Sequence, residues 1–171
     1  MIRPTQRYRA HLARLVEPLC ARVAAGRRGR AADPRGRDAT RALDYGAGPT
    51  PALTALLRER GHEVAVYDPI YAPDEAALAR TYDLVACCEV AEHFRAPARD
   101  FAVLARRLAP GGWLGVMTRL LAGPEHLPGW WYARDPTHVS FYQPRTMQWL
   151  ARRFGWALEA PGPDVTLFHA P

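Results

Sequence analysis

The chain has 171 residues, 49% of them hydrophobic, and a formal net charge of +6. That length suits one domain around a single core; no run approaches the roughly 18 apolar residues of a membrane span, and the N-terminus lacks the apolar core of a secretory signal. A cytoplasmic protein without a membrane partner is expected, and Arg spread along the whole chain reads as a solvated surface rather than a nucleic-acid footprint. Cys20, Cys87 and Cys88 form neither a CxxC pair nor two clusters, which argues against a disulfide framework or a zinc ribbon.

Residues 5–24 carry Leu12, Leu15, Val16, Leu19 and Val23 at helical spacing, a stripe suited to packing on a sheet, with a kink expected at Pro18. Residues 26–40 are rich in Arg, Gly and Asp and read as a flexible basic linker, so residues 1–40 are set apart from a main domain at 41–171. From there strand and helix patterns alternate, as in a parallel α/β sheet. Strands are expected at 41–45, 63–68, 82–88 and 113–118, and helices at 51–60 and over the stripe Phe101, Leu104, Ala105 and Leu108. Pro110-Gly111-Gly112 reads as the turn before the fourth strand. A loop follows, then a helix at 144–154 and strands at 157–160 and 165–169.

The strongest constellation is Asp44-Tyr45-Gly46-Ala47-Gly48-Pro49-Thr50, where a strand meets a helix. Gly46 and Gly48 lack the Cβ atoms that would keep a ligand from the backbone, and ligand crevices lie at the carboxyl ends of such strands. Asp68 ends the next strand, and a carboxylate there can accept hydrogen bonds from both hydroxyls of a ribose; its spacing from Asp44 is near the ~20 residues of nucleotide-binding βαβ units. The second cluster is Glu89-Val90-Ala91-Glu92-His93, directly after the third strand. A helical turn would bring Glu89, Glu92 and His93 to one face.

These residues resemble the class I S-adenosylmethionine-dependent methyltransferases. The acid-x-Gly-x-Gly pattern stands at Asp44 to Gly48, the acidic end of the second strand at Asp68, a Tyr-Asp-Leu-Val strand entry at Tyr82 to Val85, and Leu-x-Pro-Gly-Gly at Leu108 to Gly112. The resemblance spans about residues 41–160 and implies a Rossmann-like α/β fold, a mostly parallel sheet flanked by helices. It implies S-adenosylmethionine as the cofactor, contacted by Asp44, Gly46, Gly48, Asp68 and Glu89, and a small-molecule acceptor. Two departures stand out. Thr50 replaces the third glycine, which requires that the turn need no positive φ there. Only residues 69–81 separate Asp68 from Tyr82, so the middle of the fold is shortened and the family's third strand is missing.

The Glu-x-x-Glu-His pattern is similar to that of two branches that hold a divalent metal with it, the ubiquinone-synthesis O-methyltransferases and the small-RNA terminal 2'-O-methyltransferases. The latter add a histidine before an aromatic, and His138 stands in a similar place. By that resemblance Glu89, Glu92, His93 and His138 would bind Mg or Mn; acid/base use of His93 or His138 without metal, or a structural role, stays open. The aromatics Trp130, Trp131, Tyr132, Phe141 and Tyr142 would form either an acceptor pocket or a packed lid. An oxygen acceptor is favoured because the Asn-Pro-Pro-Tyr pattern of amino-group methyltransferases is absent where Glu89 begins. Three readings remain beside it: a non-catalytic cofactor-binding module, an RNA-directed 2'-O-methyltransferase, and a dehydrogenase, which the missing third glycine disfavours.

Overall fold

In the computed structural model, residues 5–28 and 39–171 are described. Helix α1 (Gln6–Arg28) precedes the alternating series β1 (Arg41–Tyr45), α2 (Ala52–Glu59), β2 (Glu63–Tyr67), α3 (Glu75–Leu78) and β3 (Tyr82–Cys88). Then come α4 (Pro97–Arg107), β4 (Leu108–Met117), α5 (Pro144–Phe154), β5 (Ala157–Gly162) and β6 (Val165–His169). The six strands form one sheet in the order β2-β1-β3-β4-β6-β5. The four strands β1 to β4 are parallel, and β6 and β5 add an antiparallel hairpin at the far edge. This is the expected mostly parallel α/β fold, with the chain order reversing between β1 and β3, where such sheets open a crevice.

Two apolar clusters cover the two faces of the sheet. On one, Leu12, Leu15, Val16, Leu19 and Val23 of α1 pack with α2 and with Leu84, Ala86, Met117 and Leu167. Gly115 of β4 lets this helix come close, since a Cβ there would meet Leu19 Cδ2 at 2.7 Å and Leu15 Cδ1 at 2.8 Å. The helix runs on through Pro18, because the proline forfeits one hydrogen bond while burial of the apolar stripe holds the rest in place. On the other face Phe101 and Leu104 of α4, and Met147, Leu150 and Ala151 of α5, pack against Leu43, Val85, Leu114 and Phe168.

Three expectations need correction. Helix α1 reaches Arg28 and so takes in Gly26, the start of the expected linker; residues 29–38 of that linker lie outside the described residues. Pro110-Gly111-Gly112 is not a turn before β4 but an irregularity within it: Tyr82 pairs with Leu108, yet Leu84 pairs with Trp113. Gly111 at φ 69° absorbs the extra residues. The last strand pair is also longer, since β5 carries on through Pro161 to Gly162. As expected, the middle is short. Between β2 and β3 stands only α3, with Asp74 as its cap accepting from Ala76 N–H at 2.9 Å, so β2 is left at the edge of the sheet.

Candidate active site

The carboxyl ends of β1 and β3 open into a cleft of about 420 Å³ lined by Asp44, Gly46, Gly48, Leu53 and Glu89, with Tyr8 and Leu12 of α1 on the opposite wall. The glycines have different tasks. Gly46 (φ 79°) lies against Val90, where a Cβ would sit 2.5 Å from Cγ2; Gly48 (φ 65°) has nothing within 4 Å of that position. One is demanded by the fold, and the other leaves backbone open to a ligand. Thr50 is not in the positive-φ region, so its replacement of glycine is sterically free.

Asp44 is buried at 2% exposure and accepts from Thr54 Oγ1 at 2.6 Å. Burial pushes its carboxyl up to about 6, with the Thr54 hydrogen bond opposing the rise. Asp68 does not line the cleft. It braces the glycine turn from behind: Oδ2 accepts from Gly48 N–H, and Oδ1 from the N–H groups of Ile70 and Tyr71, each at 2.9 Å. Desolvation raises its pKa, but these three donors outweigh it and hold the carboxyl below its ordinary value.

After β3 the helical face expected for Glu89, Glu92 and His93 does not form. Glu89 has φ 54°, alone among described non-glycine residues in the left-handed region, and helical structure is confined to a single 3-10 turn at Ala91–His93. The twist gives the two carboxylates different surroundings: Glu89 faces the cleft, whereas Glu92 is fully buried. Such backbone strain in a non-glycine residue is typical of functional positions. Burial and then the Glu92 carboxylate push Glu89 up to about 7. Its Oε1 lies 3.4 Å from His11 Nε2.

Glu92 is held by two hydroxyls, Tyr132 donating to Oε1 at 2.5 Å and Thr118 to Oε2 at 2.9 Å. The Tyr132 hydroxyl also lies 3.3 Å from Glu89 Oε2, and burial first, then its acidic neighbours, raise its pKa. The segment carrying His138 is stitched to the same turn: Val139 and Ser140 donate N–H to the Glu92 carbonyl at 2.8 and 2.9 Å, and Tyr142 OH donates to the Ala91 carbonyl at 2.8 Å. Hence the His93 and His138 rings meet edge to face, 4.9 Å between centroids. Each sets Nδ1 on a backbone carbonyl, His93 on Thr137 at 3.0 Å and His138 on Tyr132 at 2.7 Å. Ligand atoms of Glu92, His93 and His138 lie within 4.8 Å of one another, and Glu89 stands outside that group.

The sequence singled out Asp44, Gly46, Gly48 and Glu89, all on the cleft, but not its α1 wall or His11. The signal for Tyr8 and His11 was only that they flank the apolar stripe of that helix. Tyr132 was legible as part of an aromatic loop, without its hydroxyl being tied to Glu92.

A methyltransferase-domain family model matches residues 7–160, from inside α1 to β5. The chain belongs to this methyltransferase family. Solved structures of similar fold include an O-methyltransferase family protein from Burkholderia thailandensis, with TM-score 0.59 and 16% identity over 95% of this chain. This chain spans only 57% of that protein. Magnesium protoporphyrin IX methyltransferase from Synechocystis, with bound S-adenosylhomocysteine, aligns at TM-score 0.62 and 15% identity over 94% of this chain and 84% of its own. The 1,6-didemethyltoxoflavin-N1-methyltransferase of B. thailandensis aligns at TM-score 0.55 and 17% identity over 99% and 92%. No curated protein matches the sequence. Among the described residues no helix is long and apolar enough to cross a membrane.

Proposed function

We propose that this methyltransferase uses S-adenosylmethionine and methylates an oxygen atom of a small-molecule acceptor. The observation that carries the cofactor is the cleft: Gly48 leaves its backbone open, and two carboxylates, Asp44 and Glu89, with the Tyr8 ring suit a ligand bearing an ammonium and a sulfonium. The cofactor supplies a methyl group on a leaving sulfur, so the protein's work is binding, orientation and exclusion of water. Leu12 and Leu53 give the cleft apolar walls, and Asp68 locks the turn that carries Gly48. The acceptor would lie beyond Glu89, over the Glu92, His93 and His138 cluster and beneath Trp130 and Tyr132. Oxygen is favoured by the Glu-x-x-Glu-His pattern, whose polar groups suit a hydroxyl. Two of the methyltransferases of similar fold act on small molecules, a porphyrin and a toxoflavin precursor, which supports the acceptor class.

A second reading is favoured by one feature of the cluster. Glu92, His93 and His138 would hold a divalent ion such as Mg or Mn; both imidazoles set Nδ1 on a backbone carbonyl, the outer-sphere pattern usual for metal-bound histidines. A bound ion would polarise an acceptor hydroxyl. Calorimetric titration with S-adenosylmethionine, S-adenosylhomocysteine and NAD, with and without Mg or Mn, tests both. Saturable binding of the adenosyl ligands but not NAD is expected. Failure of both to bind would sink the cofactor assignment, and binding indifferent to metal, with no metal uptake by His93 and His138, would sink the second reading.

A further inference from the structure

Beyond Glu89 the rim of the site carries a cation that no carboxylate answers. Arg119 follows Thr118, whose hydroxyl donates to Glu92 Oε2 at 2.9 Å and lies 3.3 Å from the Tyr132 hydroxyl, itself 3.3 Å from Glu89 Oε2. Trp131 precedes Tyr132, packs edge to face with its ring, and carries the Arg119 guanidinium 5.0 Å from its own ring centroid. Arg119 and Trp131 are thus chain neighbours of the two residues that meet at Glu89 and Glu92, where the acceptor is proposed to lie. The charge of Arg119 also reaches His11 of α1, which stands 3.4 Å from Glu89: burial and then Arg14 lower the His11 pKa, Asp164 opposes them, and Arg119 lowers it further. Arg9, Arg14 and Arg22 of α1 each pair with a carboxylate, whereas among the described residues Arg119 has none. Arg119 and Trp131 are both open to solvent, Trp131 at 59% exposure.

We propose that Arg119 and Trp131 anchor the acceptor, and that the acceptor is a planar hydroxy acid: its carboxylate pairs with the Arg119 guanidinium while its hydroxyl reaches the Glu89 and Glu92 end. This rests on the methyltransferase reading above and names the acceptor class within it. A guanidinium over an indole is held by the negative face of the ring, is shielded from water on that side, and keeps its fork of N–H donors for an anion. A carboxylate matches that fork with two parallel hydrogen bonds. Glu89 and Glu92 then set the direction of the ligand. An anion placed against these carboxylates is repelled, whereas a hydroxyl donates to them, so the acid and the hydroxyl stand at opposite ends of the acceptor. The exposed ring of Trp131, with Trp130 beside Tyr132, offers apolar surface to the planar body between those ends. Arg119 takes no part in the bond changes; it selects which molecules enter and how they lie.

The test titrates the full chain, with and without S-adenosylhomocysteine, against 3- and 4-hydroxybenzoate and against the matching hydroxybenzamides, which keep the shape and lose the charge. Ligand-observed NMR should show at least one acid binding roughly tenfold more tightly than its amide, the scale of a charged hydrogen-bonded pair, with the preference shrinking as salt is raised. Arg119→Gln should abolish that preference, and Arg119→Lys, which keeps the charge without the fork, should restore part of it. Trp131→Ala should weaken acid and amide together. Affinity for S-adenosylhomocysteine and the melting temperature should stay at the parental values in both Arg119 variants, because the side chain is exposed and lies outside the cleft. Wild-type protein that binds no acid, or binds acids and amides equally, overturns the proposal. So does a preference that survives Arg119→Gln, or an Arg119→Gln variant that loses S-adenosylhomocysteine. If the acid preference and its loss in the variant are seen in a wild-type chain that binds no S-adenosylhomocysteine, the anchor stands and it is the cofactor assignment that fails.

Discussion

The two halves of the site are built by different means. At the end proposed for the cofactor one unbroken stretch, Asp44 to Thr50, makes the floor, and the parts that matter are backbone: two glycines at positive φ and N–H groups gathered by Asp68. At the end proposed for the acceptor the parts are side chains from separate segments: Glu89 and Glu92 after β3, Thr118 after β4, and Tyr132 and His138 from the long loop. Changes at the first end should therefore act through chain geometry and at the second through polar contacts. Cofactor binding and acceptor chemistry should separate accordingly.

The sharpest test of the first half is the pair Gly46→Ala and Gly48→Ala. Both place a side chain where φ is positive, at about 1–2 kcal/mol each. Only at Gly46 does the new methyl collide with packed neighbours, the Val90 methyls, which adds roughly 1–3 kcal/mol of overpacking. Thermal unfolding should show a large loss for Gly46→Ala and a small one for Gly48→Ala, while calorimetry shows cofactor affinity falling in both. Equal stability losses would refute the division of labour between them. Next in size is Asp68→Ala, which strands the N–H groups of Gly48, Ile70 and Tyr71, each worth about 1–3 kcal/mol when left buried and unpaired, less where water can reach. The glycine turn should loosen and adenosyl-ligand binding should be lost; retained affinity would show that Asp68 is not its brace.

Asp44 supplies a pH-dependent comparison. Its native carboxyl titrates at about 6, above the ordinary 3.8, so the fold favours the protonated form. That contribution is complete below pH 3.8 and is lost as pH rises through about 6. At pH 7 the buried charge then costs up to ~3 kcal/mol in the ligand-free protein. Asp44→Asn should raise the ligand-free melting temperature at pH 7, flatten the stability curve between those pH values, and weaken S-adenosylmethionine more than the uncharged S-adenosylhomocysteine sulfur centre warrants. A variant less stable at pH 7 than the parent would show that the Thr54 hydrogen bond outweighs the burial penalty.

The same contrast explains what was legible in the sequence. Strand β1 and helix α5 fall where their apolar periodicity puts them, and the glycine turn is recognisable because its constraints are local: Gly46, Gly48 and Asp68 answer to neighbours on adjoining strand ends. The missing strand was visible in the shortness of residues 69–81. Glu89 was misjudged in geometry, since nothing in Glu-Val-Ala-Glu-His announces a left-handed residue; that conformation is imposed by the ladder bond to Met117 and by Val90 packing under Gly46. Likewise the His11–Glu89 and Tyr132–Glu92 pairs join residues far apart in the chain, and no periodicity encodes such meetings.

The smallest expected effect probes the second half alone. Tyr132→Phe keeps the ring among Trp130, Trp131 and His138 and removes only the hydroxyl. Fully buried Glu92 then keeps one donor, Thr118, in place of two, at about 1–3 kcal/mol. Glu89 loses its weaker tie at 3.3 Å and with it a contact that favours its charged form. Stability should therefore fall modestly, and the ionisation of Glu89 should move to still higher pH. At a pH where Glu89 is ionised in both proteins, cofactor affinity should stay near that of the parent, because no atom of Tyr132 lines the cleft. Methyl transfer should slow and its pH profile shift upward, because the ionisation of Glu89 on the cleft wall moves to higher pH. If cofactor affinity falls as far as turnover does, the two halves are coupled through Glu89 more tightly than their separate construction implies.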